Sequence, residues 1–240
     1  MIKPALLCLS LLTASGIAAA DPGYYVVTAY DNEGQRTVDL RYWTVKSAGS
    51  PATLWPEVGF GYGVTNRWYT EFYASFIGTM DTAIKPSTFN WQNEYLLTQG
   101  QYPVDVAIHA ALIKGADDGY AAEYGPVLQT DIGRTQLNAN LFFEHSYGGY
   151  ASGHTVMKYQ WQVKHRWRPM LQFGLQGFGE LGDWNHWAPR DQQSHRVGPA
   201  VFGSLPLGGG QTLLYQAALL KGATYGENGT MFSMRVQYAF

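Results

Sequence analysis

The sequence predicts an all-β fold, a transmembrane antiparallel up-and-down β-barrel of about 12 strands. Three observations predict it. The segment from Thr230 to Phe240 alternates, with Phe232, Met234, Val236, Tyr238 and Phe240 set against Ser233, Arg235, Gln237 and Ala239. One face of that strand is apolar as far as Phe240 and the other is polar, as a wall between lipid and an aqueous interior requires. Segments of the same period recur along the chain, and the connections between them alternate in length. No long 3.6-residue repeat competes with this pattern.

The first element, residues 1–20, reads as a secretory signal peptide. Lys3 supplies the basic start, Ala5 to Leu12 the apolar stretch, and Ala18-Ala19-Ala20 the cleavage site before Asp21. The apolar run is short and interrupted by Ser10, Thr13 and Ser15, which argues against a membrane anchor. Cys8, the single cysteine, lies inside it, so the chain from Asp21 onward can form neither a disulfide nor a thiolate metal site. Residues 21–35 form an N-terminal segment placed in the periplasm, on the rim or in the lumen. Tyr24 to Tyr30 could supply a further strand, but that would break the even strand count of single-chain bacterial barrels. Asn32-Glu33-Gly34 turns the chain into the barrel, which spans 36–240.

Twelve period-2 segments follow, at 36–46, 54–64, 68–78, 88–98, 103–113, 121–130, 135–145, 155–166, 170–181, 194–205, 211–221 and 230–240. Val58, Phe60, Tyr62 and Val64 alternate with Glu57, Gly59, Gly61 and Gly63; Val104, Val106, Ile108, Ala110 and Leu112 alternate with Asp105, Ala107 and His109. Short turns fall at 65–67, 99–102, 131–134, 167–168 and 206–210. Longer loops fall at 47–53, 79–87, 114–120, 146–154, 182–193 and 222–229. That parity places both chain ends on the short-turn, periplasmic side.

A soluble β-sandwich also alternates. Its strands are typically about 5–6 residues long, whereas these approach the about 9–11 residues of a membrane-spanning strand. Greek-key crossovers would also break the loop parity. Trp68, Trp167, Tyr238 and Phe240 sit at strand ends, where a membrane girdle belongs.

Composition agrees. Charged residues make up 14% of the chain, against about a quarter in ordinary soluble domains, and aromatics reach 15%, with 17 Tyr and 8 Trp. From Asp21 onward no run of 18 apolar residues exists, which excludes helical spans. The net charge of −2 becomes −3 once Lys3 is removed and supplies no argument for a nucleic-acid partner.

With the apolar set facing lipid, the opposite set lines the lumen. Its acidic members are Glu57, Glu71, Glu94, Asp105, Glu123 and Glu144; its basic members are Arg41, Lys158, Lys164, Arg166, Arg196 and Arg235. Their order predicts an acidic arc facing a basic arc, a separation that would orient dipolar solutes. The alternative is that these charges pair and plug the interior. Small inward Gly59, Gly61 and Gly63 and the amides Gln160, Gln162, Gln172 and Gln176 favour a water-filled space.

Catalysis is not expected. His145 with Ser146 and His195 with Ser194 are the only adjacent pairs, and neighbouring strand residues point to opposite faces. No Gly-x-Ser-x-Gly or His-Glu-x-x-His sequence occurs. A metal site is not expected either, since His109, His145, His154, His165, His186 and His195 lack ligand spacing. Asp117-Asp118 reads as a turn that could hold a divalent cation or bridge lipopolysaccharide through one, and no cofactor is implied. Asn228-Gly229-Thr230 reads as a turn at the last strand.

Gly61-Tyr62-Gly63-Val64-Thr65-Asn66-Arg67-Trp68 resembles the periplasmic hairpin of small proteobacterial outer-membrane proteins, and Tyr238-Ala239-Phe240 resembles the aromatic C-terminal assembly signal of such barrels. Glu123-Tyr124-Gly125-Pro126-Val127 leading to Asn138-Ala139-Asn140-Leu141 is similar to poorly characterised porin-like families, including the phenol-degradation Met-pathway type. The resemblance implies the outer membrane of a Gram-negative bacterium, outer-membrane lipid and lipopolysaccharide as surroundings, and the barrel-assembly machinery as a partner through Phe240. Small hydrophobic or aromatic solute uptake follows only by fold analogy. The leading expectation is a narrow passive channel for small polar or amphipathic solutes, with the solute itself unidentified. An occluded barrel with a structural or surface-interaction role is the alternative, and a lipid-modifying enzyme the third.

Overall fold

The computed structural model describes residues 23–29, 33–47, 49, 51–116, 119–148, 153–224 and 227–240. The signal-peptide assignment and Asp117-Asp118 lie outside the described residues. Twelve antiparallel strands form the wall: β1 (Arg36–Ser47), β2 (Thr53–Gly63), β3 (Trp68–Thr79), β4 (Thr82–Leu96), β5 (Asp105–Gly115), β6 (Tyr120–Ile132), β7 (Thr135–Tyr147), β8 (Thr155–Arg168), β9 (Leu171–Asp183), β10 (Ser194–Gly208), β11 (Gln211–Thr224) and β12 (Glu227–Ala239). Each pairs with its sequence neighbour, and β12 returns to β1 from Thr37↔Ala239 to Ser47↔Gly229, so the sheet closes. Closure leaves no strand edge in the wall, the condition for sheet backbone in hydrocarbon.

Period 2 decides which side chain goes where. Val38, Leu40, Val58, Phe60, Phe72, Ile108, Leu112 and Leu219 are all exposed on the outer face, while Asp39, Glu71, Glu94, His109 and Gln176 are buried in the interior. A soluble fold hides the first set and wets the second. An apolar outer belt of this extent needs lipid.

The largest departure from the expected boundaries is at the β3–β4 hairpin. Residues 79–87, expected as a loop, are mostly strand: Thr79 pairs with Thr82, and β4 joins β5 only from Thr88 onward. The Thr79 amide donates to Thr82 Oγ1 at 3.0 Å, closing a tight turn around Met80-Asp81. The hairpin therefore projects beyond its neighbour as a paired ribbon. The 222–229 connection behaves the same way, with β11 and β12 paired as far as Thr224↔Glu227; Asn228 and Gly229, expected in a turn, lie in that ladder. At the other rim the β4–β5 connection is longer than the turn at 99–102, because β5 starts at Asp105 after Pro103, which has no backbone N–H.

Two outward aromatic side chains cover glycines on the adjacent strand. Trp161 lies across Gly177 and Tyr159 across Gly179, where added Cβ atoms would come within 2.2 Å of the rings. Aromatic rings laid over strand glycines are a device that pins register. Gly179→Val should therefore force Tyr159 off the wall, at a cost of about 1–3 kcal/mol from overpacking. A lower midpoint for loss of the folded band in heat-modified gel mobility would register it. Combining it with Tyr159→Ala should recover most of the loss, and no recovery would refute the pairing as the cause.

Candidate functional site in the lumen

The interior is set by the inward residues of every strand, and it carries two charge networks. In the first, Arg41 on β1 lies 2.8 Å from Asp39 and 2.5 Å from Glu71 on β3, with Glu57 on β2 at 4.0 Å. Arg235 on β12 reaches the same Asp39 oxygen at 2.5 Å. In the second, Lys158 on β8 contacts Glu144 on β7 and lies 3.2 Å from Glu123 on β6. His109 on β5 bridges Glu94 at 3.1 Å and Glu123 at 3.3 Å.

Because each strand pairs with its sequence neighbour, the carboxylates Glu57, Glu71, Glu94, Asp105, Glu123 and Glu144 follow one another on β2–β7 and Lys158, Lys164, Arg166, Arg196 and Arg235 on β8–β12, and the two sets pair where they meet. β12 lies beside β1, so Arg235 meets Asp39, and β8 lies beside β7, so Lys158 meets Glu144 and reaches Glu123 one strand further on. Asp105 and Arg166 stand at the rim. Asp105 accepts from the Gly100 amide at 2.6 Å in the β4–β5 turn, and Arg166 lies 3.0 Å from Asp131 with both side chains well exposed. Lys164 lies 5.7 Å from the Phe202 ring, and Arg196 donates to Thr224 Oγ1 through Nε at 2.6 Å. Trp68, Trp167 and Phe240 are exposed on the short-turn rim, and Tyr238 stacks on Phe240 at 5.2 Å.

Across β9, β8, β7 and β6 runs a line of amides. Gln176 donates to Gln162 at 2.8 Å, Gln162 to Asn138 at 3.3 Å, and Asn138 to Gln129 at 3.0 Å. Toward the short-turn rim a cavity of about 160 Å³ opens among Gln162, Lys164, Gln172, Gln216, Arg235 and Gln237. Buried Asn90 Oδ1, Asn140 Oδ1 and Gln237 Nε2 find no hydrogen-bond partner within the described residues. Buried polar atoms are satisfied by protein or by water, so these call for a hydrated interior.

The N-terminal segment is inside the barrel. Tyr24, Tyr25, Val26 and Val27 are each at most 6% exposed. Tyr24 stands edge-on to Trp43 and Phe178, with ring centres 6.0 and 5.5 Å away. Tyr25 lies under the Arg41 guanidinium at 3.8 Å and donates its hydroxyl to Gln92 Oε1 at 2.9 Å. The segment's backbone is read by side chains. The Val27 amide donates to Gln160 Oε1 at 3.0 Å, Asn140 donates to the Val27 carbonyl at 2.8 Å, and Ser233 donates to the Tyr24 carbonyl at 2.6 Å. Sequence periodicity singled out none of Gln92, His109, Asn140 or Ser233 as site residues, although each lies at inward parity. The available signal was a polar side chain at an inward position of its strand.

His195 engages Tyr159 at 2.8 Å and Gln193 at 2.7 Å, and His145 engages Thr155 at 2.8 Å.

No protein-family model and no curated protein sequence matches the chain. Solved structures do. The chain superposes on the COG4313 outer membrane channel from Pseudomonas putida F1 with a TM-score of 0.60 at 10% identity, covering 92% of this chain and 98% of that one. The chain has the fold of an outer-membrane β-barrel. The NanC porin gives 0.58 at 13% identity over 85% of this chain and 98% of its own. The KdgM porin gives 0.56 at 8% over 85% and 99%. At such identities the likeness is one of fold.

Proposed function

We propose that the protein is a passive outer-membrane channel for small polar or amphipathic solutes. One observation carries this reading: the closed wall encloses an interior lined by charged and amide side chains, with a cavity of about 160 Å³ open among them. A barrel serving only as a scaffold would gain by filling that space with apolar side chains, because replacing buried ion pairs by well-packed apolar groups is often neutral or stabilising. Twelve strands lie between the about 8 that leave room only for side chains and the 16–18 that leave a wide channel. The barrels it resembles in shape are described as porins and an outer membrane channel, which agrees with the reading. A bacterial outer-membrane location and a proteobacterial origin belong to the same proposal.

The second reading, an occluded barrel acting through its surface, is favoured by the buried Tyr24–Val27 stretch. The two readings differ in conductance. Purified full-length protein in planar bilayers is expected to show discrete openings, and liposomes containing it should swell in small sugars or amino acids. Absence of both, with the protein shown to be folded, would favour the occluded barrel.

A further inference from the structure

Residues 23–29 lie inside the wall without belonging to it. None of them is in a strand, and Gly23, Tyr24, Tyr25 and Val27 hydrogen-bond to the lumen side chains of Gln160, Ser233, Gln92 and Asn140. A strand added to a sheet is held by a backbone ladder. This segment is held instead as a bound peptide is, through side chains that read its backbone and pockets that take alternate residues. Tyr24 and Val26 pack toward Trp43, Phe178 and Phe202, and Tyr25 and Val27 pack toward Leu96, Val127 and Phe142. The stretch that could have supplied a further strand instead fits its successive side chains to two lumen walls.

We propose that the lumen is a binding site for an extended aromatic peptide, filled in this chain by its own residues 23–29, and that this segment is a tethered plug which must leave before a solute can pass. This extends the channel reading and depends on it only for the conductance arm of the test. The way out is toward the short-turn rim. There the Gly34 amide bonds to the Gly63 carbonyl and the Gly63 amide to the Gln35 carbonyl, both at 2.8 Å, tying the chain that follows the plug to the base of β2. Leaving breaks none of the strand ladders, since all twelve strand pairings are made without the segment. It exposes Trp43, Phe178, the Arg41 face, Gln92, Asn140 and Gln160. These side chains combine flat apolar walls, a cation and amides, so they suit a ligand that pairs an aromatic ring with peptide-like groups.

The test compares the full chain with a variant lacking residues 23–29 and with Tyr24→Ser/Tyr25→Ser, which keeps the tether length if the deletion fails to fold. Folding of each is checked by heat-modified gel mobility. Removing the plug is expected to raise the open probability roughly tenfold, the change that follows if the segment fills its site about nine-tenths of the time. A short tether holds its ligand at an effective concentration on the order of millimolar. A synthetic peptide of residues 23–29 added in that range should block the deletion variant from the periplasmic side, and a scrambled peptide should not. Equal open probability in all three proteins would overturn the plug and leave the channel reading standing. If none conducts, the channel reading fails. Binding is then still read from tryptophan fluorescence of the folded variants, with Trp43→Phe as the control, and no peptide-dependent change there overturns the site.

Discussion

Arg41→Met is expected to destabilise the barrel by about 3–5 kcal/mol, the usual cost of removing one partner from a buried ion pair. Arg41 is 3% exposed and is held by Asp39 and Glu71, with Tyr25 under its guanidinium and Tyr73 at 4.8 Å. Asp39 keeps Arg235, but Glu71 is left with the neutral amide of Gln92, at 2.6 Å. Denaturant unfolding in lipid vesicles, followed by tryptophan fluorescence, measures the loss. Glu71→Gln in the Arg41→Met background should recover part of it, because a neutral amide carries no uncompensated charge. A loss below about 1 kcal/mol would be the behaviour of an exposed pair, and would mean that water screens the network.

Neutralising Arg196 and Arg235 together, each to Gln, is expected to shift ion selectivity toward cations. The inward carboxylates Asp39, Glu57, Glu71, Glu94, Glu123, Glu144 and Glu180 outnumber Arg41, Lys158, Lys164, Arg196 and Arg235, so the interior is rich in negative charge before the change. A unit charge about 4 Å from a permeating ion is worth about 1 kcal/mol in a water-like medium, or roughly fivefold in occupancy. Asp39 retains Arg41 when Arg235 is lost, so the first network is not dismantled. Reversal potentials in a salt gradient read the shift. An unchanged potential would mean that ions do not pass these two side chains, and the assignment of both to a conducting path would fall.

The fold was legible because its code is local. Whether Phe60 faces lipid and Glu57 faces the interior follows from counting residues along one strand, and closure then fixes the even number and the alternation of connections. The lumen was legible only as a set of inward residues. The set could not say that Arg235 meets Asp39, a partner 196 residues away. Charges written in separate halves of the chain become neighbours when the sheet closes, and low interior dielectric favours their pairing. That is why the acidic and basic sets pair at the seams where they meet.

Residues 24–30 mark the boundary most clearly. Tyr24-Tyr25-Val26-Val27 is made of strand-favouring residues, and as sequence it suits a wall, a rim or an interior equally well. Its place is set by contacts with Gln160, Asn140 and Ser233, which lie 133, 113 and 209 residues away from their partners in the segment. By itself the sequence determined that this chain builds a two-faced wall, with polar groups on one side and apolar groups on the other, since that follows from a period of two and from the cost of unpaired backbone in lipid. Only the tertiary structure decided what fills the space the wall encloses, because that depends on side chains brought together across the barrel and on no spacing along the chain.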